Sequence, residues 1–571
     1  MTYKVIANIP DSQTIAVVLD DRQVYLLNDT HEATSLLHMG KAPRPSNDYK
    51  YVILDKDTKD MIRQEPFTRV APFASTESTL NEHFSISWNR ADEYQLVNVF
   101  DPLPVIRRIE SKIHVQGQIP TLHITGNPSD IDSLHHHQLE DIDVEDLQMI
   151  YISVNEVKTF DHVKLSISGR STRLMPKLGY AIQLSKKQEL YGHRRFKLRA
   201  SAADPTFMTE NMGYSMANAM GLPASQYSYV RLYINQQSIG LFGFVEHLKN
   251  PWVRNEFGNG DKDYQQGTLW VGQNSFNKTE VSQGESSTTT NRLSNKTQQQ
   301  LHADFSYFGR DNVGLYQTFY PVKEKPSKGE PDYSRLIDFT EFLSKQPDTI
   351  VTHPSVVDAW EHHIDVESFL RTMALDLLTM DTDGFVANNN NFLLYDDVER
   401  KQLVLSEQDF DLSCGIVLPQ YNASRVWGGN YSEFPGMETQ PLSSKILQVP
   451  AFREKFDELM RHATQQLFTS GAVRKRIDTL YAMLQEDVAW DKSLPPVGEF
   501  KWKLPANMSS MMSDAMMKGV PFEQAVYGPA SMPIQTPIAE WARLRGENLE
   551  AFIQQTTGQP YALAQQPIKQ N

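Results

Sequence analysis

A chain of 571 residues with 40% apolar, 10% aromatic and 22% charged side chains can bury a large core and is too long for only one. Its 55 Lys and Arg against 70 Asp and Glu give a formal net charge of −15, which argues against general nucleic-acid or anionic-membrane binding and suits basic protein partners. The single Cys414 excludes an internal disulfide framework and a cysteine-built zinc cage, and no run approaches the ~18 apolar residues of a membrane span.

The start, Met1 to Ile6, lacks the apolar segment of a signal peptide, whereas sequons at Asn28, Asn277, Asn295, Asn422, Asn430 and Asn507 tilt the reading toward secretion. The first hundred residues read as short strands between turn clusters: 3–7, 15–19, 23–27, 51–54, 69–72 and 96–100. That spacing predicts a β-sandwich-like domain over 1–110 with no catalytic cluster in it. A polar connection over 115–160 carries His135, His136 and His137, which read as a solvated loop. Strands are predicted at 163–168, 180–184, 195–200, 229–235 and 240–247, with a helix at 209–220. Residues 283–300 are too polar to pack and are expected to form a mobile loop. Helical periodicity returns over 355–380 and 450–490, and the last residues read as a frayed tail.

The most informative stretch runs from Asp365 to Gly415. Val366, Phe369, Leu370, Met373 and Leu377 predict a helix over 365–380 that Gly384 ends. Two strand-like runs, 392–395 and 402–405, read as a hairpin leading into Asp409-Phe410-Asp411. A helix, an Asp-x-x-x-x-Asn loop, a hairpin and an Asp-Phe pair follow one another in the catalytic half of protein kinases. There the loop Asp orients the substrate hydroxyl, the Asn reaches a divalent ion, and the second Asp holds the metal that bridges the ATP phosphates. Asp383 is the catalytic candidate; Asn388 has the loop spacing, and Asp409 and Asp411 are the metal candidates. In the preceding half, Lys197 and Glu210 occupy the places of the strand Lys and helix Glu that hold the phosphates, with Arg199 as the second cation, and Glu246 falls at the hinge.

Several segments resemble the spore-coat-protein-H (CotH) kinase family over roughly 115–545. They are Gly169-Arg170-Ser171-Thr172-Arg173 with Pro176-Lys177 and Tyr180, Arg231 to Asn235 with Gly240-Leu241-Phe242 and Glu246, Asn390-Asn391-Phe392-Leu393-Leu394-Tyr395, and Asp409-Phe410-Asp411 with Gly415. The sequence departs from the family pattern at Arg170, Leu178 and Gln408. The resemblance implies an α+β, atypical protein-kinase-like two-lobed fold after the β-sandwich-like domain. Its halves would span 115–250 and 251–548, with a tail over 549–571. It also implies use of ATP with Mg2+ or Mn2+, adds Arg170, Arg173 and Lys177 to the nucleotide candidates, and adds Asn390 and Asn391 to the metal candidates. The added N-terminal domain is similar to the layout of fungal, Mucorales-type members, described as cell-surface proteins, some of them adhesins or invasins. Three functions follow as expectations. The first is a secreted or surface-associated Ser/Thr protein kinase acting on a hydroxyl-rich, basic protein. The second is a surface adhesin toward a host-cell receptor on an idle kinase fold, and the third is a calcium-binding wall protein.

Overall fold

Alternating apolar residues build the first nine strands: β1 (Thr2–Ile6), β2 (Gln13–Leu19), β3 (Gln23–Leu26), β4 (Asp29–His31), β5 (Thr34–Lys41), β6 (Asp48–Asp55), β7 (Met61–Gln64), β8 (Arg69–Val70) and β9 (Glu82–His83). In the computed structural model, which describes residues 1–273, 302–502, 519–530 and 535–556, they form two sheets. One is ordered β4-β5-β1-β9; the other is β3-β2-β6-β7, with β8 also on β6. Tyr3 and Val5 of β1 share one core with Ile15 and Val17 of β2 and with Tyr51 and Ile53 of β6. Residues 96–100 are not a strand. The amides of Val99 and Phe100 both donate to the carbonyl of Ala219, and Val99 is buried in a different core.

The next seven strands close on themselves. They are β10 (Thr121–Thr125), β11 (Asp143–Ile152), β12 (Val157–Ser168), β13 (Gly179–Gln183), β14 (Arg195–Arg199), β15 (Tyr227–Ile234) and β16 (Gln237–Glu246). Their order is β10-β11-β12-β13-β14-β16-β15, and parallel pairing of β10 with β15 shuts the barrel. The five strands expected over 163–247 are all present. The expected polar connection is instead β10, helix α1 (Pro128–His136) and β11. β11 reads as polar because its first half alternates exposed Asp143, Glu145 and Asp146 with buried Val144 and Leu147. His135 is likewise not a solvated loop residue: its Nε2 pairs with the Tyr180 hydroxyl at 2.9 Å in the buried interior, and burial pushes the imidazole down to about 4.

Helix α2 (Thr209–Ala219) leaves the barrel between β14 and β15 and joins another core. That core is formed with α3 (Ser334–Ser344), α4 (Val366–Thr379), α5 (Pro450–Ala463), α6 (Ala472–Ser493) and α7 (Ile538–Thr556). A four-stranded sheet completes it, ordered β18-β17-β19-β20 from β17 (Leu269–Gly272), β18 (Val322–Glu324), β19 (Phe392–Asp397) and β20 (Gln402–Glu407). The chain is thus mixed α and β with several sheets. α7 runs past the expected boundary at 548, with Leu549 fully buried. The polar insert 283–300 lies outside the described residues. Two sequon asparagines, Asn422 and Asn430, use their side-chain oxygens to cap short helical turns, accepting from Ser424 N and Ser432 N.

A buried ion pair, Arg231 with Asp487 (2.6 and 3.0 Å), and a partly buried one, Lys177 with Asp491 (2.6 Å), tie the barrel to α6. Neither partner is visible from sequence spacing.

Candidate functional site

Strand alternation on β14 sends Phe196 and Leu198 into the barrel and leaves Lys197 and Arg199 on the opposite face. α2 faces them. Asp204 accepts from the amide of the helix's first residue, Thr209, at 2.9 Å, and Glu210 follows in the first turn. Arg199 Nε donates to Glu210 Oε2 at 2.7 Å, and its terminal nitrogens reach Asp409 and Asp411. The Lys197–Glu210 pair expected from sequence is therefore an Arg199–Glu210 pair. The planar guanidinium bridges three carboxylates, which a lysine ammonium reaches less readily. Lys197 stands beside this group; burial and then Arg199 lower its affinity for a proton.

The Asp409-Phe410-Asp411 segment is anchored by its middle residue. Phe410 is fully buried, packs edge-on to Tyr214 at 5.1 Å between centroids, and lies where a Cβ on Gly213 of α2 would be only 2.2 Å from its ring. Only glycine at 213 admits this approach. Asp409 itself takes a left-handed backbone conformation, φ 65°, uncommon for a residue other than glycine. The carboxyls of Asp409 and Asp411 keep 31% and 24% exposure, enough to meet a ligand. Burial would raise Asp409, but Arg199 and Lys197 outweigh it and hold the carboxyl below its usual range. Burial and the neighbouring Asp409 push Asp411 well up.

Asp383 lies across from this pair at the end of α4. The helix is capped by Asp365, whose Oδ1 accepts from Ser368 N at 2.9 Å, and it ends at left-handed Met380 rather than at Gly384. Three asparagine side chains then donate to the Asp383 carboxylate: Asn388 at 2.6 Å, Asn391 at 3.0 Å and Asn390 at 3.3 Å. Burial raises Asp383 to about 6, Asp409 adds to the rise, and the amides oppose it. Asp381 is fully buried, with its Oδ1 on the amide of Asp383, so an incoming substrate cannot reach it.

A pocket opens beside these groups, lined by Gly169, Thr172, Arg199, Asp204, Glu210 and Asp411. The CotH kinase protein family profile matches residues 165–493, more than half of the chain and the whole of this constellation.

The chain belongs to the CotH kinase protein family.

Known proteins similar to it agree. It is 20% identical over 515 residues to "Spore coat protein homolog 1" of Rhizopus delemar, covering 88% of this chain and 72% of that protein. It is 23% identical over 436 residues to "Invasin CotH2" of the same fungus, covering 75% and 68%. It is 22% identical over 380 residues to "Inner spore coat protein H" of Bacillus subtilis, covering 66% and 90%. The likeness to the Rhizopus proteins is the expected Mucorales-type one.

Not every residue of the CotH-like motifs reaches the cleft. Arg170 stays near it, donating to Gln273 Oε1 at 2.6 Å. Arg173 turns away, to the carbonyls of Glu140 and Ile167 and to Asp141. Lys177 is committed to Asp491 and the carbonyl of Leu241. Glu246 is paired in register with Phe196 and so points into the barrel, away from Lys197. There it accepts from Gln226 N at 2.9 Å; burial works against its charge, but His114 holds it down at about 2.

Four features escaped sequence reading. Lys323 on β18 lies close to Lys197 and Lys249; burial and then their repulsion push it down to about 7. Among the described residues the side chains of Lys197, Lys249 and Lys323 make no hydrogen bond or ion pair, so a patch of unpaired positive charge faces the acidic group. Pro321-Val322-Lys323-Glu324 carries no pattern that announces it. Asp376 and Glu407 are fully buried beneath the Asp383 loop. An acid within the apolar run Met373-Ala374-Leu375-Asp376-Leu377-Leu378 is the one usable signal.

The donors on offer are oxygens: Asp409, Asp411 and the side-chain carbonyls of the loop asparagines. That set suits a hard divalent cation such as Mg2+ or Mn2+, which needs one or two carboxylates and completes its shell with phosphate and water. Among the described residues no three His, Cys, Asp or Glu side chains gather around a point to hold a metal by themselves.

Proposed function

We propose that this protein is an atypical, two-lobed Ser/Thr protein kinase that transfers the γ-phosphoryl group of ATP to protein hydroxyls, with the β-sandwich-like domain as an appended module. The observation that carries the reading is the placement of Asp383, held by three asparagines, opposite Asp409 and Asp411, with Arg199 and Glu210 joining strand to helix. Asp409 and Asp411, with a carbonyl from Asn388 or Asn391, would hold Mg2+ or Mn2+. Such an ion neutralises charge on the transferring phosphate. Lys197, Lys323 and Arg170 offer positive charge to the phosphate chain. Asp383 orients the substrate hydroxyl and receives its proton as the new P–O bond forms; the bond to the β-phosphate oxygen breaks and ADP leaves. The net charge of −15 favours a basic, hydroxyl-rich protein substrate.

The names of the relatives supply a second reading, a surface adhesin or invasin that meets a host-cell receptor, with kinase chemistry weak or lost. Both readings put the protein at the cell surface or outside the cell. Among the described residues no helix is long and apolar enough to cross a membrane.

Metal-dependent nucleotide binding tests the kinase reading directly. Addition of ATP with Mg2+ or Mn2+ is expected to raise the melting temperature of the parent, and Asp409→Ala to abolish that rise while leaving the unliganded melting temperature within a few degrees. Asp411→Ala serves as the comparison. An undiminished rise in both variants would contradict the assignment.

A further inference from the structure

Beneath the loop that carries Asp383 lie three carboxylates with no part in phosphoryl transfer: Asp376 in α4, Asp381 in the turn after it, and Glu407 at the end of β20. All three are fully buried. Each accepts a different backbone N–H of the same short loop: Asp381 Oδ1 from Asp383 at 2.9 Å, Glu407 Oε1 from Phe385 at 3.2 Å, and Asp376 Oδ2 from Val386 at 2.7 Å. Buried acids are costly, and apolar side chains would fill such a space at less expense to stability. The acids come from three separate elements, yet their hydrogen bonds converge on four consecutive residues.

Gly384 sits in the middle of that contact. Its backbone, at φ −82° and ψ −167°, is open to any residue, so the constraint there is space. A Cβ at this position would stand 3.0 Å from Asp381 Cγ and 3.1 Å from both carboxylate oxygens of Asp376. The loop is drawn down onto the acids until a side chain at 384 would fit only if they gave way by a few tenths of an ångström. Its far end is fixed as well, since Gln408 N donates to the carbonyl of Asn391 at 2.8 Å. Glu407 is one residue from Gln408 and two from Asp409, so the same strand end grips the loop and delivers the second acidic motif.

We propose that Asp376, Asp381 and Glu407 are positioning residues, a buried three-carboxylate clamp that fixes the amides of 383, 385 and 386 and thereby sets Asp383 against Asp409 and Asp411. Its catalytic consequence rests on the kinase reading; the clamp itself is a property of the backbone and is measurable without activity.

The test is amide hydrogen exchange on the full chain, read over peptides covering 381–391, alongside ATP-dependent phosphate transfer. Asp376→Ala and Glu407→Ala are expected to speed exchange of the loop amides by about tenfold or more while peptides from the barrel are unchanged. Asp376→Asn and Glu407→Gln keep a carbonyl oxygen at the same place, and are expected to restore protection to within a few-fold. For transfer, the alanine variants are expected to lose kcat by ~10²-fold, the scale of a misplacement of about 1 Å, with KM for ATP little changed. The amide variants should recover most of that loss. Gly384→Ala leaves all three acids in place and carries the test if an alanine variant does not fold; it too should speed loop exchange and lower kcat. Loop exchange that is unchanged in the folded variants overturns the clamp, whatever the activity. Faster exchange with undiminished kcat in an active parent overturns the positioning role. Faster exchange in the variants of a parent that never transfers phosphate upholds the clamp and removes the kinase reading instead.

Discussion

Arg199 is the side chain on which the two halves of the site meet, because among the described residues it alone touches Glu210 from α2 and both acids of the Asp409-Phe410-Asp411 segment. Arg199→Lys keeps the charge but cannot span those partners, and Glu210 is then left buried without its hydrogen bond. Chemical denaturation should show a loss of about 1–3 kcal/mol, and an unchanged midpoint would mean that Lys197 takes over the pair. Sequence placed a cation opposite Glu210 but not the right one. Lys197 and Arg199 share a strand face, and only the register of α2 decides between them. Lys177 was misread for a related reason: its partner, Asp491, is 314 residues away. Asp383, Asp409, Asp411 and the neighbouring asparagines could be singled out because local turns set their spacing, and in the structure all three asparagine amides donate to Asp383.

Among the elements, α4 and the hairpin of β19 and β20 were legible because periodicity and capping are local signals. β10 and α1 were not. β10 is short, gains its strand character from pairing with β11 on one side and the distant β15 on the other, and carries no alternation long enough to read. Two consequences can be measured. Arg231→Met leaves Asp487 of α6 fully buried without its partner, which should cost about 3–5 kcal/mol; adding Asp487→Leu should return most of it. A double variant no more stable than the single one would show that the barrel does not dock on α6 through this pair. The second concerns His135. Its folded proton affinity, about 4, lies below the ordinary 6.5. As pH falls the unfolded chain takes up the proton first. The stability this residue supports is therefore complete above about 6.5, is lost between there and about 4, and changes no further below. The loss is on the order of 3 kcal/mol. His135→Gln keeps a hydrogen-bonding partner for Tyr180 without the titration, so its denaturation midpoint should fall less over that range; equal pH slopes would contradict the account.

At the scale of the whole molecule, three bodies of secondary structure place one cleft. The barrel presents β14, the helical core presents α2 and α4, and the small sheet presents Lys323 and the hairpin end. Closure of the barrel could not be read from sequence, because it depends on strands more than a hundred residues apart. Membership of the CotH kinase protein family could be, because several short motifs recur in order. Phosphoryl transfer with Asp383 as the base is the central claim. The most direct measurement compares parent and Asp383→Asn in transfer of label from γ-labelled ATP, with Mg2+ or Mn2+, to a basic, serine-rich protein. The substitution keeps volume and removes the charge that receives the proton. Transfer should fall by about 10²–10⁴-fold while the ATP-induced rise in melting temperature is retained. Equal transfer by parent and variant, or no transfer by the parent under either metal, would contradict the account.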